Sequence, residues 1–477
     1  MPAFDTIVKG GRVATTAWVT QCDIGIRNGK IVALADRLEG AKDVIDAKGR
    51  LITPGGVDGH CHLDQPNEEG WLCADDFYTG TRSAAAGGTT TVMPFAQQFK
   101  GKSLRAAVQD YHRRAEGKAV VDYAFHMIVS DPSAQVLGQE LPSLVRQGCT
   151  SLKIYMTYDA LKLSDREVLD TFETARAEGA MVMVHAENAE IIGWLTDRLE
   201  AKGKTAPKYH ATSRPMPVER EGTHRAIAMA EIVDVPILIV HVSAREAVEE
   251  IRRAQARGLK IFAETCPQYL FLTEDDLDKP GFEGAKCMCS PPPRDKANQQ
   301  VIWDGLRNGT FAVFSSDHAP TRFHDKTGKA FKGPKASFRW VPNGVPGIET
   351  RLPLLFSEGV GKGRIDIETF VALTATNQAK IYGLYPRKGT IAIGSDADLV
   401  IWDEKKKVTI ANKALHHNVD YTPYEGMKIT GWPAITMSRG EVVWDGKEVR
   451  GKKGRGEFIS CELPTAAEPL GRPVVTI

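Results

Sequence analysis

Three absences bound this sequence. No apolar run reaches the roughly 18 residues that a membrane-spanning helix requires, so no such helix is expected. The 61 basic and 60 acidic side chains leave a formal charge of +1, which removes the electrostatic case for nucleic acid or an anionic membrane as partner. The eight cysteines (Cys22, Cys61, Cys73, Cys149, Cys266, Cys287, Cys289 and Cys461) include no CxxC pair. Neither a structural zinc site nor a disulfide framework is therefore indicated, and reduced, mostly buried thiols are expected. The stretch Met1 to Gly10 has an early aspartate and no extended apolar core, unlike a secretory leader. A soluble, cytoplasmic protein is expected, and 477 residues suffice for a large core and two or three domains.

What the chain does have is a change of texture. Glycine-punctuated, β-rich segments open it (DTIVKGGRVA, CDIGIRNGKIVALA and KDVIDAKGRLITPG), and their NGK and AKG turns predict a small antiparallel sheet. The same texture returns in ADLVIWDEKKKVTI, MKITGW and SRGEVVWDG. Residues 1–54 and 386–450 are thus expected to form one β-sandwich, with residues 55–385 inserted between them. That central region alternates strand-like and helix-like runs. Candidate strands end near His60, Met93, Met127, Tyr155, His185, His241, Glu264 and Ser315. Amphipathic stretches such as DREVLDTFETARAEG and AREAVEEIRRAQARG lie between, each closed by a glycine. Eight strands with intervening helices predict an α/β fold, a (β/α)8 TIM-like barrel. The tail, residues 451–477, begins basic and glycine-rich and ends in proline and apolar residues. Its FIS and VVTI pieces look sticky enough to dock on a neighbouring subunit, although termini usually fray.

Six metal-ready side chains stand at or near the ends of the central apolar runs: His60 and His62 in VDGHCHLD, Lys153 in TSLKIYMTY, His185 in MVMVHAEN, His241 in ILIVHVSA and Asp317 in FAVFSSDHAP. His60 and His62, two residues apart on one strand, point the same way and make half a zinc site. A single histidine closing VMV or ILIV is ordinarily a satisfied core histidine. Four strand-end histidines together with an aspartate are more simply explained by one shared site. Lys153 faces a core, where desolvation lowers an ammonium's pKa. It either snorkels at the strand end or, as a neutral amine, captures carbon dioxide to become a carbamate that bridges two cations. Two cations about 3.5–4 Å apart sharing a hydroxide would form a hydrolytic centre. Asp317 is either a helix N-cap or a metal ligand that also shuttles a proton.

With these residues come PGGVDGHCHLDQP (54–66), DDFYTGTRSAAAGGTTTV (75–92), GCTSLKIYMTY (148–158), VHAEN (184–188), VHVS (240–243), AETCPQYL (263–270), SPPPR (290–294), SDHAP (316–320) and PNGVPGIE (342–349). In this combination the chain resembles the amidohydrolase superfamily, and within it the dihydropyrimidinase and hydantoinase enzymes. The resemblance implies a more buried metal on His60, His62, carbamylated Lys153 (N6-carboxylysine) and Asp317. It implies a second metal on the same carbamate with His185 and His241. Both would be divalent ions, Zn2+ being favoured by the histidine-rich set, with hydroxide as the other bridge. It further implies Tyr158 as donor to the developing oxyanion, and Ser290 and Asn343 as residues whose backbone grips the ureide or imide edge of the ring. Asp317 would take a proton from the nucleophile and return it to the departing ring nitrogen. The implied reaction is hydrolytic opening of 5,6-dihydropyrimidines or 5-substituted hydantoins to N-carbamoyl amino acids, by a homo-oligomer (tetramer or dimer).

Dihydroorotases and allantoinases share this plan but typically carry an arginine two residues after the second histidine. Asp64 stands there, a charge of the wrong sign for an anionic substrate. Trp71, Phe95, Phe99 and Tyr155 are expected in or near the loops that shape a barrel's pocket, suiting an aryl or alkyl substituent, unless they are ordinary packing. The LDQP, NEEGWLC and SSDHAPTRFHD stretches depart from familiar hydantoinase forms. A cyclic-imide hydrolase or an allantoinase-like enzyme is the alternative. The family's dihydropyrimidinase-related scaffold proteins have lost metal ligands, whereas all six are present here, which argues against a scaffold role.

Overall fold

The computed structural model describes residues 2–472 and 474. β1 (Phe4–Ala14) runs antiparallel to β2 (Val19–Arg27), which returns as β3 (Lys30–Ala35). Asn28 and Gly29 both take positive φ, 51° and 73°, as the twist of a two-residue hairpin demands. β4 (Ala41–Asp46) and β5 (Leu51–Pro54) then pair with the two halves of β1, both parallel to it. The N-terminal sheet is therefore mixed rather than purely antiparallel. Two hairpin reversals restore the direction of β1, and the chain crosses to its free edge still running that way.

The barrel begins two residues later with β6 (Gly56–Cys61) and β7 (Thr89–Gln97). β8 (Asp122–Tyr123) is a short extra pairing on β7, and β9 (His126–Ile128), β10 (Ser151–Tyr155), β11 (Met181–His185), β12 (Ile237–Ile239), β13 (Ile261–Thr265) and β14 (Val313–Phe314) complete the run. The order is β14-β13-β12-β11-β10-β9-β7-β6, all parallel. A parallel bridge between Cys61 and His318, with His62 N donating to His318 O at 2.7 Å, closes the first strand on the last. This is the (β/α)8 TIM-like barrel. The second strand runs past Met93 to Gln97. Between strands, a capping box of Ser164 and Glu167 opens the helix Asp165–Glu178, and Gly179 ends it. The helix Arg245–Ala256 follows β12. Among the described residues no helix is long and apolar enough to cross a membrane.

β15 (Leu399–Thr409), β16 (Lys428–Ser438) and β17 (Glu441–Trp444) are antiparallel to one another, and β15 pairs antiparallel with β5. Both ends of the chain thus build one eight-stranded sheet. It curls until Ala397 N donates to Gly29 O at 2.8 Å, and Ile24, Ile26 and Ile31 share one core with Leu399, Ile401 and Met437. The two layers of the sandwich are the two arms of a single sheet. Lys388, buried, joins this sheet to the barrel: its Nζ lies 2.7 Å from Asp122, 2.9 Å from Asp398 and 3.1 Å from Asp396. Burial works against that ammonium, and the three carboxylates more than offset it.

The tail does not fray over its described length. Tyr123 N donates to Glu457 O, Ile459 N to Tyr123 O and Cys461 N to Gly148 O, while Asp234 accepts from Leu470 N and Arg472 N. The FIS piece therefore packs on the chain's own barrel, below the N-terminal ends of the strands. Ile459 and Cys461 join Val57, Met93, Met183 and Leu238 in the barrel interior. Of the VVTI piece only Val474 lies among the described residues. All eight cysteines are free thiols, buried except for the half-buried Cys73.

Candidate metal centre

All six predicted ligands sit at the C-terminal mouth of the barrel. His60 is on β6 and His62 just beyond it; Lys153 is on β10 and His185 closes β11. His241 and Asp317 follow β12 and β14 and take left-handed φ of 41° and 45°; Tyr158 does the same at 68°. Such backbone is costly for a residue with a side chain and gathers where function requires it. Asp317 caps no helix and Lys153 does not snorkel: both are buried.

His60, His62 and Asp317 each offer a ligand atom, and these atoms lie within 4.8 Å of one another. Asp317 Oδ1 is 3.2 Å from His60 Nε2 and 3.5 Å from His62 Nε2. Lys153 Nζ is 2.8 Å from His60 Nε2. The His241 ring stands 5.5 Å from His60 and 4.4 Å from His185, centroid to centroid, linking the triad to the sixth ligand. Three of the four rings are turned by a neighbour. His60 Nδ1 donates to Glu264 Oε1 at 2.7 Å, leaving Nε2 free to coordinate, the carboxylate–histidine arrangement typical of metal ligands. His62 Nδ1 pairs with Gln65, which is held in turn by Gln97. His185 Nε2 pairs with Glu187 at 2.7 Å, and Arg214 donates to that same carboxylate oxygen at 2.7 Å. His241 Nδ1 is buried without a hydrogen-bond partner among the described residues, as a ligand nitrogen would be. The His60, His62 and Asp317 donors fit a divalent ion.

The electrostatics agree. Burial lowers the Lys153 ammonium, with Asp317 and Glu264 only partly opposing it. Burial also drives His60 and His241 well below the ordinary imidazole range, into the neutral form a ligand needs. Asp317 is pushed up by burial, yet His60, His62 and Lys153 leave it lowered on balance and so ionised. Burial pushes Tyr158 up to about 12 despite Arg214, whose guanidinium carbon lies 5.5 Å from the ring centroid. The Tyr158 ring meets the edge of His185 at 5.3 Å. Ser290 is buried on the cis Ser290–Pro291 bond. Asn343 Oδ1 is buried without a partner among the described residues.

Two aromatic expectations need correction. Phe95 stacks on His62 at 5.1 Å, meets His60 edge-on at 4.9 Å and lies 4.6 Å from Lys153 Nζ. Tyr155 stacks on His185 at 5.4 Å. Both wall the ligand cluster, whereas Trp71 and Phe99 lie outside it, each half-buried. Asp64 does not repel a substrate either: its carboxylate pairs with Arg114 at 2.9 Å and Lys118 at 3.2 Å, turned towards the helix Leu104–Ala115. Residues overlooked in the sequence are those that orient ligands: Glu264, Gln65, Glu187, Arg214 and Gln268, which donates to Asp317 Oδ2 at 3.3 Å. Glu264 carried a signal, a carboxylate closing an apolar strand in the same pattern as the ligands.

Residues 51–443 match the amidohydrolase family. The chain is 45% identical over 455 residues to a D-hydantoinase of Rhizobium radiobacter, covering 95% of this chain and 98% of that one. It is 44% identical over 456 residues to a D-hydantoinase of Ralstonia pickettii, with 95% and 98% covered. Its fold superposes on the crystal structure of the dihydropyrimidinase from Brevibacillus agri NCHU1002 with a TM-score of 0.94 at 43% identity, covering 96% and 99% of the two chains.

Proposed function

The chain belongs to the amidohydrolase family, and from that membership we propose that it is a binuclear cyclic amidohydrolase. It opens 5-substituted hydantoins or 5,6-dihydropyrimidines to N-carbamoyl amino acids. The observation that carries this reading is the convergence of His60, His62, Lys153, His185, His241 and Asp317 on one barrel mouth beside Tyr158. Kinship with D-hydantoinases supports the D-enantiomer as substrate.

His60, His62 and Asp317 would hold one divalent ion and His185 with His241 the other, zinc by the nature of the donors, with a carbamate on Lys153 shared between them. Bound there, such ions polarise a carbonyl and acidify water at neutral pH. The chain's own residues do the rest. Lys153, its ammonium lowered by burial, supplies the neutral amine that carbon dioxide requires. Tyr158, protonated, donates to the oxygen of the attacked ring carbonyl. Asp317, ionised and steadied by Gln268, accepts a proton from the nucleophile and delivers it to the departing ring nitrogen. Ser290 and Asn343 align the amide edge through their backbone. A cytoplasmic homo-oligomer, tetramer or dimer, completes the proposal.

The test is a ring-opening assay on protein supplied with zinc and bicarbonate, comparing dihydrouracil, D- and L-5-phenylhydantoin and glutarimide. Turnover of the hydantoin or dihydrouracil, with D preferred over L, is expected. Turnover of glutarimide alone would reassign the substrate to cyclic imides. No turnover of any ring with two metals bound would sink the reading.

A further inference from the structure

Lys329 is a buried cation that the metal centre leaves unused. It lies on the loop after β14, is 1% exposed, and its Nζ has no carboxylate partner among the described residues. The ammonium instead faces three backbone carbonyls: Gly344 O at 2.6 Å, Pro342 O at 2.7 Å and Met288 O at 3.4 Å. An ammonium has three N–H donors and no acceptor, so this cage matches its hydrogen-bonding capacity. Burial lowers its pKa to about 7, the cost of holding a charge on carbonyl dipoles alone.

The placement of those carbonyls gives the cage its meaning. Pro342 O and Gly344 O flank Asn343, and Met288 lies two residues before Ser290. A peptide unit is planar, so holding Pro342 O also sets the direction of the Asn343 N–H. Gly344 N donates to Met288 O at 2.9 Å, joining the two segments directly. Gly344 takes φ 113°, and a side chain there would meet Ala319 Cβ at 2.2 Å, so the turn is also pressed against the strand end that carries Asp317. Cys289 O accepts from His210 at 2.8 Å and Pro291 O from Tyr269 at 2.9 Å, which fixes the rest of the Ser290 segment.

We propose that Lys329 is a positioning residue for ring recognition, its ammonium locking the Met288–Ser290 and Pro342–Gly344 backbones into the spacing that grips the amide edge. The inference rests on the roles of Ser290 and Asn343 given above. It makes ring binding depend on a side chain that lies outside the ligand cluster.

The test uses the metal-loaded enzyme with 5-phenylhydantoin and dihydrouracil. Lys329→Met is expected to raise KM roughly tenfold for both rings while kcat stays within about threefold, because binding common to ground and transition states is what is lost. Bound metal should be unchanged, and hydrogen exchange should quicken in residues 286–291 and 340–346 together. Lys329→Ala should recover part of its KM on addition of methylammonium, which a merely space-filling lysine would not allow. Lys329→Gln, which keeps two donors, carries the same readout should the methionine variant not fold. An unchanged KM, a parallel fall of kcat and metal content, or failure of the amine to restore KM would overturn the proposal. A wild type that opens neither ring overturns the reading of the site instead. An active wild type beside a Lys329→Met enzyme of equal KM overturns this inference alone.

Discussion

The two ends of the barrel are built on opposite terms. At the mouth, Tyr158, His241 and Asp317 hold left-handed backbone, and Glu264, Glu187 and Asn343 each keep a buried oxygen without a partner among the described residues. Towards the floor, Ile459 and Cys461 of the tail belong to the apolar cluster of the barrel interior, and the backbone hydrogen bonds of the tail are met by Tyr123 and Gly148. At the mouth these are features that a ligand would relieve, while the tail's packing supplies cohesion at the opposite end. This is the division expected of a barrel, with chemistry at the C-terminal ends of its strands and stability at the other.

Substitutions can break that contrast. The largest effect is expected from Lys153→Ala, which should abolish ring opening and strip bound metal while leaving the melting temperature of the metal-free protein unchanged or higher. Metal analysis beside calorimetry checks both, and wild-type turnover would remove Lys153 from the centre. Tyr158→Phe should lower kcat by roughly 10²–10³, the scale of a lost oxyanion donor, with metal content intact. A rate equal to wild type would exclude the phenol from the mechanism. At the floor, Ile459→Ala should cost about 2–4 kcal/mol of stability, as emptied core positions do, with kcat/KM of the folded enzyme unaltered. Denaturation followed alongside the assay decides this, and a matching fall in kcat would show that floor and mouth are coupled.

The ligands were legible because each closes, or closely follows, an apolar run, and a strand of known period fixes where its end points. The barrel was legible for the same reason. What orients the ligands was not. Glu264 reaches His60 from a strand two places round the barrel, and Gln268 reaches Asp317 from a neighbouring strand's loop; the sequence shows that Glu264 closes a strand but not which ring it meets, and nothing local marks Gln268. Phe95 and Tyr155 read as pocket aromatics because hydrophobicity does not distinguish a wall of the metal site from a wall of the substrate site. The parallel pairing of β4 and β5 on β1 escaped notice because the turns of a mixed sheet look like those of an antiparallel one. The tail's docking depends on glycines far from it in sequence: a side chain at Gly383 would meet Glu462 O at 1.7 Å.

The seam where β6 meets the segment after β14 bears on biosynthesis. His60 and His62 lie on one side of that closure and Asp317 on the other, joined by the Cys61–His318 bridge. A chain still emerging from the ribosome displays both histidines early, yet lacks the carboxylate of this triad until the last barrel strand has been made and has found the first. The complete triad thus exists only once the barrel has closed.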